Sequence, residues 1–312
     1  MGSEARSRPA PELLREHCQV FSRLGWALFL QLAVVILVQS VAANVAAAVA
    51  PALLVHPVFL WGLSVFSVYG AGFLALWLVL RGAPAPRPAE HYPLPPGRFF
   101  RAWVICLGAT YLTNFMTLSL MDVIGLLRGA PVENPVDQIA AYPPILNALL
   151  GCVIAPVAEE FIFRRLLLDR LRPYGPRFAM AASALCFALF HGNLSQFFYA
   201  FAIGLVLGWV ALRTGGIWQP MLLHAMVNAV STILLPLAEP LGNLGDALLS
   251  LLVLGSIVLG AVFLTELRQE LALPAGTPPL SPRWTWRVFF ESPGVVCFLL
   301  LALAMCASYF LL

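Results

Sequence analysis

The sequence predicts an all-α fold, a polytopic membrane bundle of eight or nine transmembrane helices. Hydrophobic residues make up 61% of the 312 positions and charged residues 11%, against about 25% charged in an ordinary soluble domain. The mean hydropathy is +0.87, and apolar segments long enough to cross a bilayer recur along the chain. A soluble protein of this size cannot bury so much apolar surface. The composition therefore excludes a soluble enzyme, a disordered chain and a nucleic-acid-binding protein.

The polar N-terminal segment lacks the pattern of a cleaved secretory signal, so the first apolar stretch is predicted to be a retained helix. We count nine spans, and eight are possible because the segment 197–212 is short for a span. The predicted spans are 24–50, 58–80, 102–127, 144–163, 178–196, 197–212, 217–237, 246–264 and 293–312.

The basic residues predict the orientation of the bundle. All 18 of them are Arg, and nine spans place 17 on the side that holds the N-terminus and only Arg128 on the other. Cytoplasmic loops carry the excess of positive charge. The N-terminus is therefore predicted to be cytoplasmic and the C-terminus outside, in the inner membrane of a bacterial cell.

Ionisable residues interrupt the fourth span. Each charge inside a membrane has a high free-energy cost, so such residues usually indicate a functional site. Glu160 and Arg164 are four apart and share a helix face, so they can neutralise each other. Glu159 is turned about 100° away and has no such partner on its own turn. Pro156 removes a backbone donor just before them, which predicts a kink and a cleft.

Two further spans carry polar groups at a similar depth. Phe187 and His191 lie in the fifth span, and His224 and Asn228 share one face of the seventh. Taken singly, these groups would be explained by a helix-end charge cluster, a structural histidine and a helix–helix hydrogen bond. Their matched depth predicts one cavity, reachable from the cytoplasm, with the two histidines within about 15 Å of each other.

Carboxylates beside imidazoles suit the activation of water, either directly or through a metal ion. An amide and a second imidazole can donate hydrogen bonds to a developing oxyanion. Together these groups describe amide hydrolysis inside the membrane. The same cluster could serve a proton-coupled transporter, or a non-catalytic immunity or scaffold protein.

At these residues the chain resembles the CAAX prenyl endopeptidase type II family, also called the Abi or CPBP family of intramembrane proteases. Its ordered motifs E-E-x-x-x-R, F-x-x-x-H and H-x-x-x-N/D correspond to Glu159-Glu160…Arg164, Phe187…His191 and His224…Asn228. The resemblance implies that Glu159 and His191 activate the water. It implies that His224 and Asn228 stabilise the oxyanion, and that Glu160 and Arg164 complete and orient the site.

The resemblance does not determine whether the site binds a metal ion. A divalent ion such as zinc could bind Glu159, His191 and His224, but the same residues suffice for a glutamate-dependent mechanism, and no other cofactor is predicted. The implied partner is a membrane-bound peptide or lipidated protein, such as a prenylated protein or a bacteriocin or signalling precursor, cleaved near the cytoplasmic face.

Four regions are predicted. Residues 1–23 form a cytoplasmic segment, 24–98 the N-terminal helices with a Pro-rich loop, and 99–265 the protease-like core. Residues 266–312 form a cytoplasmic Pro-rich linker and a last transmembrane helix. Within the core, Gly204 and Gly208 are predicted to allow close helix packing without any chemical role.

Overall fold

A computed structural model describes residues 9–84, 92–267, 273 and 277–311. The predicted all-α fold is confirmed: the described part of the chain contains helices and no strand. In chain order the helices are α1 (Pro11–Val49), α2 (Pro57–Leu80), α3 (Pro96–Arg128), α4 (Pro135–Ala140), α5 (Pro144–Tyr174), α6 (Pro176–Phe190), α7 (Leu194–Thr214), α8 (Trp218–Leu241), α9 (Asn243–Glu266), α10 (Pro282–Glu291) and α11 (Pro293–Leu311). Parts of the predicted Pro-rich loop and linker, and the first residues of the N-terminal segment, lie outside the described residues.

Eight of these helices are long and apolar enough to cross a bilayer, as an integral multi-pass membrane protein requires. The short apolar helix is α6, with 15 residues, whereas the sequence placed the short segment at 197–212. The boundary moved because Gly192 turns the chain with a φ of 63°. Asn193 then caps α7, its side chain accepting a hydrogen bond from the Gln196 amide, and α7 reaches 21 residues.

Two helices extend beyond the spans predicted for them. Helix α1 begins at Pro11, whereas the predicted span begins at residue 24, and α5 continues to Tyr174, whereas the predicted span ends at 163. Arg164 consequently lies inside the bundle, 1% exposed, and not in a cytoplasmic loop. A charged residue can be buried there because its partner is on the same helix, as described below.

Small residues allow the helices to approach closely, as predicted for Gly204 and Gly208 on α7. A Cβ at Gly204 would lie 3.1 Å from the Cβ of Ala184 and 3.2 Å from the ring of Phe187. On the other side of the bundle, Gly108 of α3 packs against the backbone of Ser256 on α9. Close packing of this kind stabilises helix association in a membrane, because the hydrophobic effect does not drive helices together in lipid.

Hydrogen bonds between distant segments define two ends of the bundle. At the end that we call the Arg-rich end, His17 contacts the Tyr174 hydroxyl at 3.0 Å and the Tyr92 amide donates to Thr214 at 2.9 Å. At the opposite, Arg-poor end, Trp61 donates from its indole nitrogen to the Leu146 carbonyl at 2.9 Å. The connections 50–56 and 129–143 belong to this Arg-poor end, where α1, α2, α3 and α5 begin or terminate.

Candidate active site

Helix α5 is widened on both sides of its two glutamates. Wide, π-type turns run over Leu150–Ile154 and Phe161–Leu168. Such turns insert an extra residue into the helix and are frequent at functional sites, and Pro156, which lacks an amide hydrogen, follows the first of them. Between the two turns, Glu159 and Glu160 are 5% and 0% exposed, so both carboxyl groups point into the bundle.

Glu160 is fully engaged by two partners. Arg164 Nε donates to its Oε2 at 2.9 Å, as the four-residue spacing predicted. His224 Nδ1 contacts its Oε1 at 3.1 Å. The same guanidinium donates to Ser183 Oγ at 3.0 Å, and that hydroxyl donates to the Phe163 carbonyl at 2.8 Å. A buried charge is tolerated when it is paired and hydrogen-bonded, and Glu160 and Arg164 meet both conditions.

Glu159 finds its partners on other helices. The Tyr69 hydroxyl donates to Oε1 at 2.6 Å, and His224 Nε2 lies 3.9 Å from Oε2. Tyr69 belongs to α2 and lies in a third wide turn, Phe66–Gly72. No motif or spacing in the sequence marks Tyr69, because its relation to Glu159 exists only after α2 and α5 have packed.

Phe187 contacts side chains of all three motifs. Its ring packs edge-on to the rings of His191 and His224, with centroid distances of 5.1 and 5.8 Å. The Arg164 guanidinium stands 5.2 Å from the same ring centroid, a favourable cation–π distance. The two histidines are therefore well within the about 15 Å that a shared reacting centre requires.

The orientation of His191 is fixed by the backbone of its own helix. Its Nδ1 lies 2.9 Å from the Phe187 carbonyl, and a carbonyl oxygen only accepts, so we assign the hydrogen to Nδ1. The other nitrogen, Nε2, is then the basic atom of the ring. His191 is thus positioned to accept a proton through Nε2.

Asn228 lies one turn beyond His224 on α8. Its side-chain amide donates to the Gly151 carbonyl at 2.8 Å, and Gly151 is in the first wide turn of α5. This bond ties α8 to α5 next to Glu159. A fourth wide turn, Val230–Leu234, follows directly on α8.

A cavity of about 340 Å³ joins these groups. Four of the six predicted site residues line it, Glu159, His191, His224 and Asn228, while Glu160 and Arg164 support it from behind. The remaining wall is largely polar or aromatic. Its members that carry hydrogen-bonding side chains are Gln39, Ser64, Tyr69, Tyr142, Asn147, Gln196, Tyr199, Ser231 and Thr232.

The cavity extends from the layer of Glu159 and His224 toward the Arg-poor end. Along α5 the lining residues run from Glu159 back to Asn147, and along α8 they run from His224 forward to Thr232. Val136 and Ile139 of α4, together with Tyr142, line the cavity at its Arg-poor end. Access from the cytoplasm stays a prediction, since it depends on the orientation of the bundle in the membrane. Helix depth gave the level of the cavity, and the lining residues add the half of the bundle in which it lies.

The three metal candidates do not converge into a binding site. Within the residues that the structure describes, no three His, Cys, Asp or Glu side chains group closely enough to hold a metal ion. Glu159 Oε1 accepts from Tyr69 and His191 Nδ1 is bonded to the Phe187 carbonyl. These bonds leave Glu159 Oε2 and His191 Nε2 free to hold water.

Comparison with known proteins places the three motifs in one family. Residues 141–230 match the family model described as type II CAAX prenyl endopeptidase Rce1-like. This segment resembles the type II CAAX prenyl endopeptidases. The resemblance read from the three motifs is thus confirmed, and all six predicted site residues lie in the CAAX-endopeptidase-like segment, whereas Tyr69 lies outside it.

A curated relative supports the same resemblance over a similar length. The Bacillus subtilis (strain 168) protein named "Putative membrane peptidase YdiL" is 30% identical over 108 residues, which are 34% of this chain and 43% of that protein. The chain thus matches less than half of that relative's length. No solved structure matches the chain.

Proposed function

We propose that the protein is an intramembrane endopeptidase that hydrolyses a peptide bond in a membrane-bound or lipid-anchored substrate. The observation that carries the proposal is the single cavity lined by Glu159, His191, His224 and Asn228, within a segment that resembles the CAAX endopeptidases. We also propose that it lies in the inner membrane of a bacterium, and that its N-terminus is cytoplasmic because the arginines are one-sided.

In the proposed reaction Glu159 and His191 activate a water molecule. Glu159 takes a proton as the water oxygen attacks the carbonyl carbon, and His191 Nε2 accepts the hydrogen bond that orients the water. The C–N bond then breaks, and the proton held by Glu159 passes to the departing amine. The products are a new carboxyl terminus and a new amine.

Two donors would stabilise the oxyanion that forms during the attack. His224 Nδ1 donates to Glu160 at 3.1 Å, so His224 would donate to the oxyanion from Nε2 as a ring that carries both hydrogens. Asn228 lies one turn away on the same wall. Arg164 balances the charge of Glu160. Preorganised donors of this kind supply the largest single contribution in many hydrolases.

A proton-coupled transporter was the alternative suggested by the intramembrane charges. A transporter needs access to its site from both ends of the bundle in turn. On the Arg-rich side of the cavity, Glu160, Arg164, Ser183 and Phe163 are each at most 1% exposed. A transporter is also closed on one side in each of its states, so the two functions are separated by measuring peptide hydrolysis against ion-coupled flux.

The test is hydrolysis by the purified, detergent-solubilised chain of fluorogenic transmembrane and lipidated peptides, with and without a chelator. We expect cleavage by the wild type and none by Glu159→Gln, which keeps shape and hydrogen bonding but removes the proton acceptor. Cleavage at wild-type rate by Glu159→Gln, at equal protein and equal melting temperature, would exclude Glu159 as the base. No cleavage of either peptide class by the wild type would count against the endopeptidase.

A further inference from the structure

We infer that the cavity takes its substrate from the exoplasmic side of the membrane. On the proposed function, the enzyme would then act on peptide segments that have crossed the bilayer or are anchored in its outer leaflet. Prenylated C-termini in the cytoplasm would not reach the site. Three observations carry this inference.

The first is the position of the cavity along the bundle. Gln39 of α1, Ser64 of α2 and Asn147 of α5 line the cavity, and each lies in the half of its helix nearest the Arg-poor end. Ser231 and Thr232 of α8 extend the wall in the same direction. A peptide backbone in the membrane needs polar partners along its path, and these side chains supply them.

The second is the closure on the other side. Arg164 connects Glu160 to Ser183, and Ser183 is bonded to the Phe163 carbonyl. These residues form a nearly inaccessible layer beside the glutamates, on the side of the Arg-rich end. Moving the guanidinium aside would separate the buried Arg164–Glu160 ion pair, which is strongly unfavourable.

The third is the length of α6. Its 15 residues rise about 22 Å, short of the about 30 Å hydrocarbon thickness. Because α6 starts at the Arg-rich end, beside Tyr174, its last turn and His191 stop inside the bundle. Met305 of α11 packs against Gly192 at this end of α6, and His191 faces the cavity, which lies on the Arg-poor side.

The distribution of the arginines predicts which side of the membrane the Arg-poor end faces. Among the described arginines, Arg128 lies at the Arg-poor end and Arg164 lies within the bundle, while the others flank the Arg-rich end. Cytoplasmic segments hold the arginine excess. The Arg-poor end, toward which the cavity extends, is therefore exoplasmic.

The experiment is thiol labelling of single-cysteine variants in right-side-out spheroplasts with a small, membrane-impermeant methanethiosulfonate. The background replaces the half-buried cysteines Cys18, Cys152, Cys297 and Cys306 and retains the buried Cys106 and Cys186. Ser64→Cys and Ser231→Cys place nearly isosteric thiols on opposite walls of the cavity. Exposed controls are Glu133→Cys at the Arg-poor end and Glu12→Cys at the Arg-rich end.

We expect labelling of Glu133→Cys, Ser231→Cys and Ser64→Cys from outside, and labelling of Glu12→Cys only after lysis. Two cavity positions are used so that loss of folding in one variant leaves the other. Labelling of Glu12→Cys from outside would mean that the protein is inverted and that its cavity faces the cytoplasm. This result would overturn the inference. A pattern in which Glu133→Cys reacts from outside but both cavity thiols react only after lysis, or not at all, would also overturn it. None of these outcomes bears on hydrolysis in detergent, where both sides are accessible, so this inference and the endopeptidase can fail separately.

Discussion

The Tyr69 hydroxyl donates a 2.6 Å hydrogen bond to Glu159 Oε1, across 90 positions of sequence. The bond joins α2, outside the CAAX-endopeptidase-like segment, to the proposed general base on α5. It occupies one carboxylate oxygen and leaves Oε2 facing His224 at 3.9 Å. The N-terminal helices therefore complete the candidate site rather than serving only as an anchor.

We expect Tyr69→Phe to lower kcat about tenfold, since a hydrogen bond to a charged group contributes about 1.5–3 kcal/mol. The carboxylate would lose the contact that fixes its orientation, while the ring would still fill its place in α2. The measurement is steady-state hydrolysis of a membrane peptide, alongside melting in detergent.

The matched control for this change is Tyr174→Phe. It also removes a buried hydrogen bond, to His17 at 3.0 Å, but at the Arg-rich end and away from the cavity. We expect this variant to keep its kcat. Equal losses of kcat in the two variants would mean that Tyr69 acts through general stability and not through Glu159.

The two adjacent glutamates should respond differently to the same substitution. Glu160→Gln leaves the Arg164 guanidinium without its ion-pair partner inside the bundle, a change that typically costs about 3–5 kcal/mol. We expect a lower melting temperature together with lost turnover. Glu159→Gln, whose carboxylate is not paired with an arginine, should lose turnover and melt close to wild type. Unchanged melting of Glu160→Gln would show that the ion pair contributes nothing to stability.

The sequence predicted the fold class and the composition of the site because both rest on local patterns. Apolar length gives a membrane helix, and the four-residue spacing of Glu160 and Arg164 gives an ion pair on one face. Matched depths correctly brought His191 and His224 near the same reacting centre. The catalytic roles of these residues remain a prediction.

What the sequence did not predict depends on packing between helices. Tyr69 carries no motif, and its contact with Glu159 arises from the way α2 meets α5. The shortening of α6 depends on the turn at Gly192 and the cap at Asn193, which hydropathy cannot separate from a longer span. The half of the bundle that holds the cavity depends on which half of each helix bears the lining side chains, and hence on helix rotations that sequence periodicity does not determine.

Phe187 should matter for geometry more than for stability. Phe187→Leu keeps an apolar side chain but removes the ring that contacts Arg164, His191 and His224. We expect at least a tenfold loss of kcat, because misplacing catalytic groups by about 1 Å can cost about 100-fold. The control is Phe178→Leu, which removes a comparably buried ring from the aromatic cluster with Phe21 and Phe289 at the Arg-rich end. If both variants lose stability alike and both retain kcat, Phe187 is a packing residue only.

The last prediction concerns the spacing of α6 and α7 behind the site. A Cβ at Gly204 would lie 3.2 Å from a backbone atom of Ala184 and equally close to the Phe187 ring, and both neighbours are packed on their far sides. Gly204→Val should therefore push α7 away from α6 and shift Phe187, lowering stability by about 1–3 kcal/mol and lowering kcat with it. Gly255→Val adds the same side chain to another transmembrane helix at a position with open space around it, so we expect wild-type melting and wild-type turnover there. Measuring both variants by melting in detergent and by peptide hydrolysis separates crowding at the α6–α7 contact from a general intolerance of valine. A Gly204→Val protein with normal turnover would show that Phe187 and the two histidines hold their positions independently of this contact.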